Sequence, residues 1–494
     1  MQKPKELSLS WQNIVWVYLT LTAAVLLSWL PLLRRTLLVA DDFFVVRMIS
    51  SSTHLLPDGP WRPLGILPYW LFSANPAYPP VLTLLTHLLS TVLLFHVCQS
   101  LFHGIRLPLT AALVFAMFPF GYQAMAWMSA YNFVIPVVFF LANILLLSSP
   151  QAQSRWPLPA MFALSSLLAL LTCFSNECLF FAVAFSGFFV FIGAPPDAFR
   201  SFKAFVLAAG NRGLLAMAPP AGSLVWAVLY HAFKGPSPTK TITRIHLISI
   251  LSVYFRQYSL LDVFGPWFSP VTRSLVFFSW SWITAAVVLC GAAVFLAGLY
   301  RLSNDAGARD STTPANLPLL VAIVALLAGG SLIYVLGGGF SWDSRKKYPL
   351  VPLMLLLVCW LWRAGFTKVR LTSSGYLAAA TTMCVVAAMT TWMVVGIWKY
   401  ESRRYNDLGE FIAAQKIQGN IDVQWDPDLY RAWPNLERSL GWRFDNTLWL
   451  NYAAEYRGGG EIDVAPSGTE TVILYDPRTD RWILSSRKVL ALAK

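Results

Sequence analysis

Charge is what this chain has least of: Asp, Glu, Lys and Arg together make up 12% of its 494 residues, about half the share carried by a soluble globular domain. That shortage excludes a free-standing water-soluble fold. Acids are scarcer than bases, 24 against 37, for a net charge of +13. The basic residues are scattered through short loops between apolar runs. Anionic lipid headgroups and phosphates are therefore the partners they fit, and nucleic acid is not. Cysteine is sparse, with six at positions 98, 173, 178, 290, 359 and 384, all in or beside apolar runs. None follows position 400, which excludes a disulfide framework for the tail. Metal-ligand spacings are missing as well: there is no His-x-x-x-His and no Cys-x-x-Cys. His87 and His96 stand about 900° apart on a helix and face opposite ways. No Walker-type or Gly-x-Gly-x-x-Gly loop occurs, so nothing points to ATP-driven work. Gly337-Gly338-Gly339 reads as a flexible end to a span.

What the chain has in quantity is apolar length, with 56% hydrophobic residues. About eleven runs approach the roughly 20 residues needed to cross hydrocarbon. They fall near Asn13–Leu33, Tyr78–Gln99, Pro108–Phe118, Ala126–Leu147, Leu158–Phe174, Cys178–Gly193, Leu214–His231, Ser274–Tyr300, Leu317–Leu336, Tyr348–Trp362 and Tyr376–Lys399. The first is too long for a removable signal peptide and lacks a small-residue cleavage site, so it is read as a retained helix. The expected fold is an all-α polytopic membrane domain over residues 1–399 with a small α+β extramembrane tail over 400–494. An odd number of crossings puts the tail on the same face as the first long loop. Short basic loops on the N-terminal face place that terminus in the cytoplasm.

Three segments between spans are long: 34–77, 232–273 and the tail. The first holds Phe43, Phe44, Val46, Met48 and Ile49, then Ile66, Leu67, Tyr69, Trp70 and Leu71, which predict two short amphipathic helices on the membrane. A similar pattern runs through 245–256. In the tail, Tyr405–Gln418 reads as an amphipathic helix. Thr471–Tyr475 and Arg481–Ser485 flank a turn sequence and read as a hairpin. Trp425, Trp433, Trp442 and Trp449 suit either a sugar-stacking surface or, more simply, the tail's core.

The residues that could carry chemistry sit in these loops. Asp41 and Asp42 form an acidic pair just past the first span. One carboxylate suffices to take a proton from an acceptor hydroxyl, and its neighbour can raise its pKa or orient a ligand. The plainer reading is a helix cap, since Asp favours helix N-termini. On the same face lie Arg62, Lys234, Lys240, Arg244, Arg256, Arg273 and the run Arg345, Lys346, Lys347. Cations of this kind stabilise a leaving phosphate, or simply anchor headgroups. Glu177 occupies a tight turn between two spans and could hold a sugar hydroxyl, a metal or an Arg.

At this point the chain resembles the GT-C superfamily of polytopic glycosyltransferases, most closely the protein O-mannosyltransferase and aminoarabinose-transferase clan. Ala40-Asp41-Asp42-Phe43 is similar to that clan's acidic motif, and Trp61-Arg62-Pro63-Leu64 to the motif that follows it. Phe115–Asn132 is similar to the stretch leading into the fourth span, Ser175-Asn176-Glu177 to a Ser-Lys-Glu turn, and Lys347-Tyr348 with Pro352 to an Arg-Tyr-x-x-x-Pro signature. The resemblance implies a polyprenyl-phosphate sugar donor and chemistry on the extracytoplasmic face of a bacterial inner membrane. It implies Asp41 as base with Asp42 in support; with the cations read above, the expected substrate-binding residues are Arg62, Trp61, Glu177, Arg256, Arg345, Lys346, Lys347 and Tyr348. A divalent cation, Mg or Mn, is compatible with the acidic pair. Gln123, Tyr131 and Asn176 depart from the clan pattern, where an acid, an Arg and a Lys are usual. Two rival readings are a transporter or flippase of lipid-linked sugars, which would want ionisable groups deep in the spans, and a non-catalytic envelope-assembly subunit.

Overall fold

The computed structural model describes residues 10–33, 38, 42–43, 45–46, 62–119, 121–192, 210, 212–234, 282–304, 317–336, 348–365, 372–424, 447–459, 461–464, 471–476, 479 and 481–486. Among them, eight helices are long and apolar enough to cross a membrane: Trp11–Leu33, Tyr78–Phe102, Met128–Ser148, Leu158–Ser175, Arg212–Ala232, Ile283–Asn304, Tyr348–Gly365 and Ser373–Ala414. Three shorter apolar helices, Arg106–Met117, Phe180–Phe191 and Leu317–Leu332, fall where the remaining expected spans lie. Leu289, Val228 and Leu317 point outward at 70%, 67% and 67% exposure. Side chains so apolar are at ease there only against lipid, and the chain is an integral membrane protein.

Polar side chains inside the bundle are used to close helix ends. Helix Arg106–Met117 stops where Phe118 turns extended, leaving carbonyls without partners along the helix. Trp29 Nε1 donates to the Ala116 carbonyl at 2.7 Å, and Thr391 Oγ1 to the Met117 carbonyl at 2.5 Å. His87 joins them, its Nε2 lying 3.2 Å from the same Ala116 oxygen. A carbonyl only accepts, so Nε2 carries the proton and Nδ1 accepts from the Tyr348 hydroxyl at 2.7 Å. His96, nine residues further along the same helix, is bonded to Tyr18 at 2.8 Å. On the N-terminal face Arg363 closes helix Tyr78–Phe102 by donating to the carbonyls of Phe102 and His103, and Arg106 donates to the Ser303 carbonyl at 2.7 Å. Several basic residues that a count of loop charges treats alike are thus cations at helix C-termini.

Small residues let the spans approach closely. A β-carbon at Gly222 would fall 2.1 Å from the Ser166 carbonyl oxygen, so helix Ala218–Lys234 lies directly on helix Leu158–Ser175. Gly222→Val is expected to destabilise the protein by about 1–3 kcal/mol, the usual range for overpacking. The check is a lowered thermal midpoint in detergent, followed by size-exclusion chromatography of heated samples.

The last helix corrects the sequence reading. A span and a separate amphipathic helix were expected; Ser373–Ala414 is one helix of 42 residues. It starts at Thr372, whose hydroxyl accepts from Gly375 N at 3.1 Å, and ends before Lys416, whose φ is +51°. The charged stretch after Lys399 contains no proline and does not break it. Two of those charges are absorbed by the tail. Glu401 and Arg404 pair at 3.1 Å with 0% and 1% of their side chains exposed. The Arg404 guanidinium lies 3.6 Å from the Tyr475 ring centroid, and Trp482 Nε1 donates to the Arg404 carbonyl at 3.0 Å.

Among the described residues the tail holds a four-stranded sheet of order β2-β1-β3-β4, with β1 Gly419–Gln424, β2 Ile462–Val464, β3 Thr471–Asp476 and β4 Arg481–Ser486. β1 runs parallel to β2 and β3, and helix Thr447–Tyr456 lies between β1 and β2 in the chain. The expected hairpin is present: β3 and β4 pair antiparallel with Leu474 opposite Ile483. The parallel strands and the helix make the tail the α+β unit expected, and membrane helices with such a unit are the fold class read from the sequence.

Candidate functional site

The segments between spans at one end of the bundle converge on a 3₁₀ helix, Met128–Phe133. Trp127 before it is extended, and Pro136 after it starts the next helix at a position where its missing N–H costs nothing. Two groups of the sequence-derived candidates meet this segment.

The first is Asp42. It is wholly buried, and its Oδ1 accepts from the Tyr69 hydroxyl at 2.9 Å and from the Ser129 backbone N–H at 3.0 Å. Tyr69 comes from helix Leu67–Ala74, the second of the two amphipathic helices expected after the first span. A buried carboxylate left without donors would be very costly; these two donors fix its position.

The second group is Arg62 with Glu177. Pro63 disfavours helical backbone at the residue before it, and Arg62 has φ −128° and ψ 67° where it enters the 3₁₀ turn Pro63–Ile66. From there its guanidinium forks onto Glu177: Nε donates to Oε2 at 2.7 Å and Nη2 to Oε1. Glu177 is presented by Asn176, which ends helix Leu158–Ser175 in extended backbone. Asn176 Nδ2 donates to the Asn132 carbonyl at 3.1 Å. Gly65 lies so close to Asn132 that a β-carbon there would fall 2.9 Å from the Asn132 Cβ. Both sides of the ion pair are therefore seated on the segment that holds Asp42. Ser129 and Asn132 are separated by about 6 Å along a 3₁₀ axis, at roughly 2 Å per residue.

Tyr69 and Ser129 are residues that sequence reasoning did not single out for this site, and Asn132 and Asn176 entered it only as members of motifs. Tyr69 was visible only as one apolar member of an amphipathic pattern. Ser129 acts through its backbone N–H, which no side-chain motif encodes. The Asn132 Oδ1 is buried without a hydrogen-bond partner among the described residues, a condition that costs about 1–3 kcal/mol.

Tyr348 was expected among the substrate-binding residues. It is buried with its hydroxyl on His87 and its ring 5.4 Å from that of Phe115, in the packed interior. Asp41, Trp61, Arg256, Arg345, Lys346 and Lys347 lie outside the described residues, as do Lys240, Arg244, Arg273, Trp425, Trp433 and Trp442. Among the described residues no three His, Cys, Asp or Glu side chains are grouped as a cation site requires. Asp42 is engaged by Tyr69 and Ser129, and Glu177 by Arg62.

No family model matches this chain, and no curated protein does. Among solved structures it is similar to the Archaeoglobus fulgidus oligosaccharyltransferase, crystallised tethered to an acceptor peptide containing the NVT sequon. The identity is 11% and the TM-score 0.33, over 94% of this chain and 69% of that one.

Proposed function

We propose that this chain is a membrane glycosyltransferase of the GT-C type. It moves a sugar from a polyprenyl-phosphate donor to a hydroxyl acceptor on protein, lipid or polysaccharide, on the extracytoplasmic face of a bacterial inner membrane. The observation that carries this reading is the seating of the acidic loop and the Arg62–Glu177 pair on one short segment, Met128–Phe133, at the start of the span Met128–Ser148. A carboxylate loop beside a rigidly held cation is what transfer from a phosphate leaving group needs, because the base and the charge stabiliser must be fixed relative to each other.

In the proposed step Asp41 accepts the proton of the acceptor hydroxyl as its oxygen attacks the anomeric carbon. The bond from that carbon to the phosphate oxygen breaks, and its electron pair leaves on the polyprenyl phosphate. Direct displacement inverts the anomeric configuration. Asp42 holds the loop by its buried carboxylate. Arg62, its plane set by two donors to Glu177, faces the developing phosphate charge. His87 and His96 do not supply the relay a transporter would want, since each is tied to a structural partner.

The test is purified protein in lipid nanodiscs with a panel of polyprenyl-phosphate sugars labelled in the sugar. The expected result is loss of label from one donor with release of polyprenyl phosphate and an inverted linkage in the product. Turnover of a nucleotide sugar with no use of any lipid donor would overturn the reading.

A further inference from the structure

The tail does more than sit beside the bundle: it grips the loop that carries the acidic pair. Asn406, on the emergent part of helix Ser373–Ala414, donates from Nδ2 to the Leu38 carbonyl at 2.6 Å. Its Oδ1 accepts from Arg457 Nη2 at 2.7 Å, while Arg457 Nη1 donates to the Ala453 carbonyl at 3.0 Å. The Arg457 guanidinium in turn lies 5.0 Å from the ring centroid of Phe43, a buried side chain next in the chain to Asp42. Tyr456 and Tyr405 complete the seat, their rings 5.5 Å and 6.2 Å from that of Phe43. One guanidinium therefore ties three elements together: the end of helix Thr447–Tyr456, the last long helix, and the acidic loop.

Burial pushes the Arg457 guanidinium down from its ordinary value, and the Glu410 charge, ahead of Tyr456, Tyr405 and Asp407, pushes it back up. It remains a cation at any pH at which the protein folds, so the contact with the Phe43 ring is a cation–π contact throughout.

We infer that Asn406 and Arg457 are positioning residues, through which the tail sets the placement of the acidic loop by holding Leu38 and Phe43. The inference rests on the glycosyltransferase reading, in which that loop carries the base. Two independent anchors then hold the loop, one at the acidic pair and one beside it. Asp42 is pinned to the membrane domain by Tyr69 and Ser129, and Phe43 is pinned to the tail. A loop held only at Asp42 could pivot about that carboxylate; a second anchor one residue away removes the pivot. Misplacement of a base by about 1 Å costs up to roughly a hundredfold in rate, so the tail would act on turnover without touching substrate.

The experiment uses the full chain in nanodiscs, with Arg457→Gln and Asn406→Leu, and Arg457→Lys as the conservative variant. Hydrogen–deuterium exchange of segment 38–46 and steady-state kinetics with a polyprenyl-phosphate sugar are both read. In Arg457→Gln and Asn406→Leu, exchange at 38–46 should quicken while segments 78–102 and 128–148 stay protected. The kcat should fall roughly ten- to a hundredfold with KM for the donor unchanged. Arg457→Lys, which keeps the charge over Phe43 and loses the fork, should fall between. If exchange quickens across β1–β4 as well, the tail has unfolded and Arg457→Lys carries the measurement. Unchanged exchange at 38–46, or quickened exchange with wild-type kcat, overturns the inference. Failure of the glycosyltransferase reading shows separately, as no turnover of any polyprenyl-phosphate sugar by the wild-type protein, an outcome to which the exchange rates are blind.

Discussion

Asp41→Asn is expected to lower sugar transfer by about 10²–10⁴-fold, the usual contribution of a positioned general base, with insertion and thermal stability unchanged. Asp42→Asn is the informative companion. An amide at 42 keeps an oxygen for the Tyr69 hydroxyl and the Ser129 N–H, so the loop stays seated and the loss should be smaller. Asp42→Ala removes that oxygen and leaves the Ser129 N–H without this partner. It should destabilise the protein by about 1–3 kcal/mol as well as slow it. The measurement is initial rate under saturating donor for the three variants, paired with a detergent melting curve for each. The ranking assigns the roles: Asp41→Asn far slower than Asp42→Asn makes 41 the base and 42 the anchor, and the reverse order exchanges them. Wild-type rates in both asparagine variants would remove the mechanism altogether.

The fold was legible because lipid imposes the simplest of patterns. Apolar runs of the right length between Pro, Gly and charge marked nearly every span, and the structure shifts most described ends by a few residues. The exception shows what the pattern omits. Charge after Lys399 looked like a boundary in a sequence. In three dimensions Glu401 and Arg404 are buried against Tyr475 and Trp482, residues about seventy-five positions later, so the helix continues. The hairpin β3–β4 was readable from its turn residues, whereas β1 and β2 are held by parallel partners and carry no local signal. The candidate site divides in the same way. Asp42, Arg62 and Glu177 were visible as charges in loops of an apolar chain, where any charge invites explanation. Their pairing was not visible, because Arg62 and Glu177 are joined across 115 positions. Nor was the role of Ser129, which lies in the backbone, or of Tyr69, whose hydroxyl is hidden in an apolar pattern. For Tyr348 the motif did not say which way the side chain packs: its hydroxyl lies on His87.

Arg62→Ala should cost about 10²–10³ in kcat, the range for loss of one donor aimed at developing charge. Loss of Glu177 tests whether the cation acts alone or as half of a unit. If Glu177 only neutralised Arg62, removing it would free a charge for the phosphate and quicken the reaction or tighten donor binding. The geometry argues the other way. The fork onto Glu177 uses Nε and Nη2 together, so the carboxylate sets both the position and the plane of the guanidinium. With side chains 19% and 28% exposed, the pair is neither in bulk water nor fully desolvated. Its worth is therefore orientation more than stability. Glu177→Gln should thus slow transfer, and Arg62→Lys, which keeps charge without the fork, should slow it nearly as much as Arg62→Ala. The double variant Arg62→Ala with Glu177→Gln should be no slower than Arg62→Ala alone, since a carboxylate that acts only by orienting Arg62 has nothing left to orient. Rates for the four proteins close a double-mutant cycle. Additive losses would show that Glu177 touches substrate in its own right, and a faster Glu177→Gln would show that the ion pair restrains Arg62 instead of aiming it.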